Sequence, residues 1–262
     1  MRPSLLVATG GSAGNESRPL PTNTANNKGL QTEPSIGRFD LRRINRSGPL
    51  NPTVRPSEWH VKSFLRPTDV VDYDDADVRA LAAELARDAE PQMVAVRCFE
   101  WVRDNIRHSL DHNDIRVTLS ASDVFRHGTG LCYSKSHLLA ALLRANAVPC
   151  GLVYQRLATD ESGKSFCLHG LNAVWLPEYS WYRIDPRGNR EGIRTSFDPP
   201  REHLAFATSM PGERLIDQVY ADPLSVVVNA LTRCSTMDEL CKALPDWKAE
   251  QSVGHGAADN VI

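Results

Sequence analysis

The stretch that decides the fold is Gly128-Thr129-Gly130-Leu131-Cys132-Tyr133-Ser134-Lys135-Ser136-His137-Leu138-Leu139-Ala140-Ala141-Leu142-Leu143-Arg144-Ala145-Asn146. Two glycines let the backbone turn tightly just before a cysteine. A helical pattern then runs from about Cys132 to Asn146, with Leu138, Ala141, Leu142 and Ala145 inward and Pro149 beyond its end. A thiol at a helix N-terminus feels the positive end of the macrodipole and the unpaired N–H groups there. Both favour thiolate, so the Cys132 pKa is expected below that of a free cysteine. The same N–H groups are ready donors for an oxyanion formed on attack at a carbonyl. A buried structural cysteine is the bland alternative.

Upstream, Val78, Leu81, Ala82, Leu85, Ala86 and Ala89 follow the apolar spacing of an amphipathic helix. Pro91 suits the first turn of a second helix, whose stripe is Val94, Cys98, Trp101, Val102 and Ile106. Asp72, Asp74, Asp75 and Asp77 read as a capped helix start rather than a calcium loop. Downstream the period changes. Residues 151–157, 167–176 and 180–184 are short, apolar or alternating, and read as antiparallel strands, with Pro177-Glu178-Tyr179 turning between the last two. Helices first and strands afterwards predict an α+β domain. An apolar run at Leu224–Leu231 and a short helix near Met237–Leu244 follow.

Residues 1–57 hold seven of the seventeen prolines, six asparagines and six glycines without apolar periodicity, and are expected to be a flexible tail. The domain organisation is therefore a tail over 1–57, one domain over 58–250 with its motifs in 70–190, and a flexible end over 251–262. Thirty basic and thirty-two acidic residues leave a net charge of -2, which gives no lead to nucleic acid or an anionic membrane. No apolar run approaches the ~20 residues of a membrane span, and Leu5–Ala8 is too short for a signal-peptide core. The six cysteines show no Cys-x-x-Cys spacing, which suits reduced thiols and a cytoplasmic location.

A thiolate mechanism needs a proton carrier, and His169 is the best candidate among eight histidines. It lies inside the strand Cys167-Leu-His-Gly-Leu-Asn-Ala-Val-Trp-Leu176, where a polar ring needs a reason to be present. His60, His108 and His112 read as histidines in polar surroundings. In an antiparallel hairpin, opposed residues have a constant sum of numbers. A turn centred on Pro177 sets His169 opposite Asp185, with Cβ atoms roughly 5 Å apart. A slip of one residue would undo this.

Together these residues resemble the transglutaminase-like superfamily, bacterial-type, within the papain-like cysteine-protease fold. The resemblance rests on Gly130-Leu-Cys132, His169 and Trp181-Tyr-Arg-Ile-Asp185-Pro186, spaced by 37 and then 16 residues. It departs from the commonest pattern at Gly170-Leu-Asn172 and at Asp185-Pro186-Arg-Gly-Asn189. It implies an α+β core, with the nucleophile at a helix N-terminus packed on an antiparallel sheet. It also implies a catalytic triad of Cys132, His169 and Asp185, with Tyr133, Asn172 and Trp181 at the substrate pocket. The expected reaction runs through a Cys132 thioester formed from an amide or thioester carbonyl, with hydrolysis slightly preferred over transfer to an amine. The expected substrate is a peptide, a protein side-chain amide or a small acyl compound, and no cofactor or metal is expected. The Cys132 N–H is one oxyanion donor; the second is not identified, and Trp101 reads as core. The rivals are a metal site built from Cys132, Cys150, Cys167 and His169, and a non-catalytic binding module.

Overall fold

The computed structural model describes residues 58–247. The expected tails, and residues 248–250 of the expected domain, lie outside them. In chain order the elements are α1 (Glu58–Ser63), α2 (Ala76–Leu85), α3 (Pro91–Asn105), β1 (Arg107–His108), α4 (Ala121–His127), β2 (Thr129–Gly130) and α5 (Cys132–Ala145). Then come β3 (Cys150–Ala158), β4 (Phe166–Leu176), β5 (Ser180–Ile184), β6 (Ser196–Asp198), β7 (Arg201–His203), β8 (Arg214–Leu215), α6 (Ser225–Arg233) and α7 (Met237–Lys242). The fold is α+β, with helices packed on an antiparallel sheet of order β5-β4-β3-β8.

Local chemistry starts each helix. Asp75 caps α2 by accepting from the N–H groups of Asp77 and Val78, so part of the acidic cluster is the helix start expected of it. Pro91 occupies the first turn of α3, where its missing N–H costs nothing. Gly128 ends α4 in the left-handed conformation (φ 63°), and Gly130 comes so close to Ser134 that a Cβ would lie 2.7 Å from its Oγ. Both glycines before Cys132 are thus required, one by conformation and the other by space.

Helix α5 is the centre of the molecule. Every residue from Cys132 to Arg144 is buried, and only Ala145 is partly open. Sequence periodicity foresees only the apolar side of it. Five polar residues are enclosed as well, each with a backbone carbonyl as partner; the Ser134 and Ser136 hydroxyls donate to the carbonyls of Leu131 and Cys132 at the start of the helix. Arg144 donates to the carbonyls of Cys150, Arg66 and Ala221, and Lys135 to those of Ile106 and Arg103. His137 meets the Leu119 carbonyl through Nδ1 at 2.8 Å, while its Nε2 has no partner.

The state of His137 sets an acid limb of stability. Burial, with Arg144 adding and the Leu119 bond opposing, pushes its pKa from 6.5 to about 4. Protonation would place a second, unpartnered donor in the core. Between pH 6.5 and 4 the unfolded chain holds more protons than the native one, so stability falls as pH drops through that window. His137→Leu should weaken this fall, reducing the stability difference between pH 7 and pH 4.5 by roughly 2 kcal/mol. Urea unfolding at the two pH values checks it; an unchanged difference would assign the limb to other groups.

The sheet corrects one expectation. Trp175 pairs with Trp181 and Asn172 with Ile184, so β4 and β5 share a register two residues away from the one read from sequence. The loop is Pro177–Tyr179. Tyr179 N–H closes a turn onto the Leu176 carbonyl at 3.0 Å, and Ser180, the first residue of β5, follows this three-residue loop in the left-handed region with φ 62°. His169 therefore stands opposite Gln155 of β3, and Asp185 lies one residue past the end of β5. A shift of two keeps every side chain on its face.

Candidate active site

Three elements bring the sequence-selected residues together. Cys132 is the first residue of α5, and its N-cap, Leu131, makes no side-chain hydrogen bond, so the first N–H groups of the helix are not capped by it. The β4 backbone crosses this end at Gly170, whose N–H points at Cys132 Sγ over 3.5 Å. Gly170 allows this approach: a Cβ there would sit 3.1 Å from Tyr133 Cα and 3.3 Å from its N. His169, next along β4, lines the same cleft as Cys132 and places Nε2 2.8 Å from Asp185 Oδ2. Asp185 is fully buried with each oxygen occupied: Oδ2 also accepts from Ala205 N–H at 2.9 Å, and Oδ1 from Arg187 N–H at 3.1 Å.

The electrostatics follow from this geometry. Burial alone would lower the His169 pKa; the Asp185 carboxylate, the Cys132 sulfur and hydrogen bonds to both outweigh it and raise it to about 10. Burial works against the Asp185 carboxylate too, but the His169 charge and bond, with the Ala205 and Arg187 N–H groups, hold it below the usual range. The ring is thus a cation placed between a carboxylate and a sulfur, an arrangement that stabilises a thiolate. Phe206 lies edge-on to the ring at 5.0 Å, and the Phe206 carbonyl is fixed by Gln155 Nε2 at 3.0 Å.

The other expected residues divide. Tyr133 lines the cleft beside Cys132, and its hydroxyl donates to the Leu168 carbonyl. Asn172 does not line it: it is buried on the face of β4 turned to α5, where Nδ2 donates to the Ser136 carbonyl at 2.9 Å. Trp181 is also misplaced by the sequence reading. Opposite Trp175 it stands six residues along β4 from His169, about 20 Å at strand rise, and packs on Phe64 and Trp175. Trp101 packs on Phe125. Cys150 lies against Asn172, and among the described residues no three His, Cys, Asp or Glu side chains are grouped to hold a metal ion.

The cleft holds about 310 Å³ of atom-free space, with Leu110, Leu131, Leu168, Phe206 and Leu244 as its apolar wall. Two further lining residues escaped the sequence reading. Arg187, only 2 % exposed, donates from Nη1 and Nη2 to both Asp111 oxygens at 2.7 and 2.9 Å. His108 is buried, with the expected polar surroundings supplied by Asp111, Arg187, Lys135 and His169. It belongs to β1, which pairs parallel with β2 just before Cys132. Two-residue strands leave no periodicity to read; the Asp185-Pro-Arg187 run was the one available signal.

Such a site on such a fold defines a class of cysteine-nucleophile domains. Residues 79–186 match the model of the Transglutaminase-like superfamily. This match supports a cysteine-based enzyme. Among solved structures the chain is similar to a candidate cysteine protease from Cytophaga hutchinsonii, at 18% identity and TM-score 0.41, over 52% of this chain and 45% of that one. It is also similar to the periplasmic domain of TgpA from Pseudomonas aeruginosa bound to ethylmercury, at 20% identity and TM-score 0.36, over 48% and 47% of the two chains. The chain spans less than half the length of either. No curated protein matches it.

Cys132 should stand apart chemically from the other cysteines. Burial pushes the Cys98 and Cys150 thiols up to about 12 and Cys167 up as well. We expect iodoacetamide near neutral pH to label Cys132 first, read by peptide mass mapping. Equal labelling of all six in the folded protein would contradict the assignment.

Proposed function

We propose that Cys132, His169 and Asp185 act as a catalytic triad, and that the chain is a cysteine hydrolase or acyltransferase working through a Cys132 thioester. The observation that carries this reading is the placing of His169, bonded to Asp185 Oδ2 through Nε2, in one cleft with the sulfur at the N-terminus of α5. Cys132 Sγ attacks an amide or thioester carbonyl and forms the S–C bond. His169 gives its proton to the leaving group, and Asp185 holds the ring with Nε2–H turned away from the sulfur. Water then attacks the thioester, its proton passing to His169, and the acid and the thiol are released. Hydrolysis is preferred because no residue pattern marks an amine-acceptor site. Transfer to an amine is the second reading, favoured by the apolar wall, which restricts water. The reading takes peptides, protein side-chain amides or small acyl compounds as substrates, and a reducing, cytoplasmic setting that keeps the six thiols free. It involves neither nucleic acid nor a membrane surface.

The test is to incubate the full chain with cell extract, quench in acid and weigh the intact protein. An added acyl mass that maps to Cys132 supports the thioester and identifies the acyl group. No adduct at Cys132, or the same adduct on Cys132→Ala, sinks the reading. Adding excess ethylamine before quenching separates water from amine as acceptor by the product released.

A further inference from the structure

His108 stands beside Gly130 in the β1–β2 pair, two residues before Cys132. It lines the cleft with Cys132 and His169 and is only 6 % exposed. Among the described residues lining the cleft, His108 alone has an enclosed side-chain nitrogen or oxygen with no hydrogen-bond partner. That atom is Nδ1, 3.7 Å from Asp111 Oδ2, beyond hydrogen-bond reach. Asp111 is instead taken up by Arg187. A proton on Nδ1 would be a buried donor with nothing to receive it, a costly state. In a neutral ring the proton therefore belongs on Nε2. The ring is indeed held neutral: burial, then the positive charges of Arg187, Lys135, His169 and Arg190, keep its pKa well below the ordinary value.

We propose that His108 is a catalytic residue whose Nε2–H is the second donor to the oxyanion formed when Cys132 attacks a carbonyl. This rests on the thioester reading above. As the S–C bond forms, the carbonyl π pair moves onto oxygen, where the Cys132 N–H and His108 Nε2–H receive it. When the pair returns, the leaving group departs with the proton from His169. A neutral imidazole is suited to this task, because a second imidazolium would compete with His169 for the thiolate.

Stopped-flow measurement with p-nitrophenyl acetate and the full chain tests the assignment. Wild type should release a burst of p-nitrophenolate matching the Cys132 content. His108→Leu should slow that burst on the order of a hundredfold or more. It should leave iodoacetamide alkylation of Cys132 near the wild-type rate, since displacement at a saturated carbon forms no oxyanion. His108→Gln, which offers an N–H again, should recover part of the burst rate. A burst that is unchanged in His108→Leu overturns the proposal. So does parallel slowing of burst and alkylation, which marks a packing role. A wild-type chain with no burst, or a Cys132→Ala variant that keeps it, would instead overturn the thioester reading itself.

Discussion

Asp185→Asn is expected to lower turnover on the order of a hundredfold or more. The carboxylate accepts three hydrogen bonds, from His169 and Ala205 on one oxygen and from Arg187 N–H on the other. An amide can accept on only one side. If its oxygen stays on His169 and Ala205, its NH2 opposes the Arg187 N–H; if it flips, NH2 opposes His169. Either way the imidazolium loses its neighbouring negative charge, so the His169 pKa falls from about 10 and the positive charge beside the Cys132 sulfur is lost more readily. Cys132 alkylation should slow in parallel, and stability should drop by about 1–3 kcal/mol for the opposed buried donor, seen as a lower melting temperature. Turnover, alkylation rate and melting temperature on this one variant discriminate the readings. A lower melting point with unchanged alkylation would make Asp185 a structural residue of the Asp-Pro-Arg turn.

Gly170→Ala should be the next most damaging single change. The new Cβ would meet Tyr133 at 3.0 Å from Cδ1, 3.1 Å from Cα and 3.3 Å from N. Two of those three atoms are backbone at the start of α5, so relief requires the strand and the helix to part. Overpacking of this kind costs about 1–3 kcal/mol. The separation would also open the gap between Cys132 and His169, and a displacement near 1 Å can cost about a hundredfold in rate. We expect activity to fall at least tenfold with the chain still folded, measured by burst rate and circular dichroism. Full activity would show that β4 yields elsewhere.

How much of this was legible beforehand depended on the length of the signal. Helices α3 and α5 and strands β3 to β5 carry long apolar patterns, and their bounds follow them to within a residue or two; α2 ends at Leu85, four residues short of Ala89, the last residue of its expected stripe, with Asp88 between them in a left-handed conformation. Cys132, His169 and Asp185 were found because each stands where the pattern changes: a helix start, a polar ring in a strand, a strand end. The hairpin register was read two residues off because Ser180, with no glycine to announce it, takes a left-handed conformation. The error preserved the face, so His169 and Asp185 still meet. Trp181 was assigned to the pocket along with its motif, but the register carries it far along the sheet. Helix α4 and the pair β1–β2 are too short to show a period, and so His108 went unnoticed.

The burial of α5 has a consequence for how this molecule moves. A helix with neighbours on every side has no face along which it can slide or peel, so its amide protons should exchange with solvent only when the whole domain opens. The sulfur rides on that helix and stays fixed while the molecule breathes. The apolar wall includes Phe206 and Leu244, which lie outside the regular elements, so adjustment of the cleft falls to those loops. Variation in what the cleft admits can then accumulate there without disturbing the position of the Cys132 sulfur.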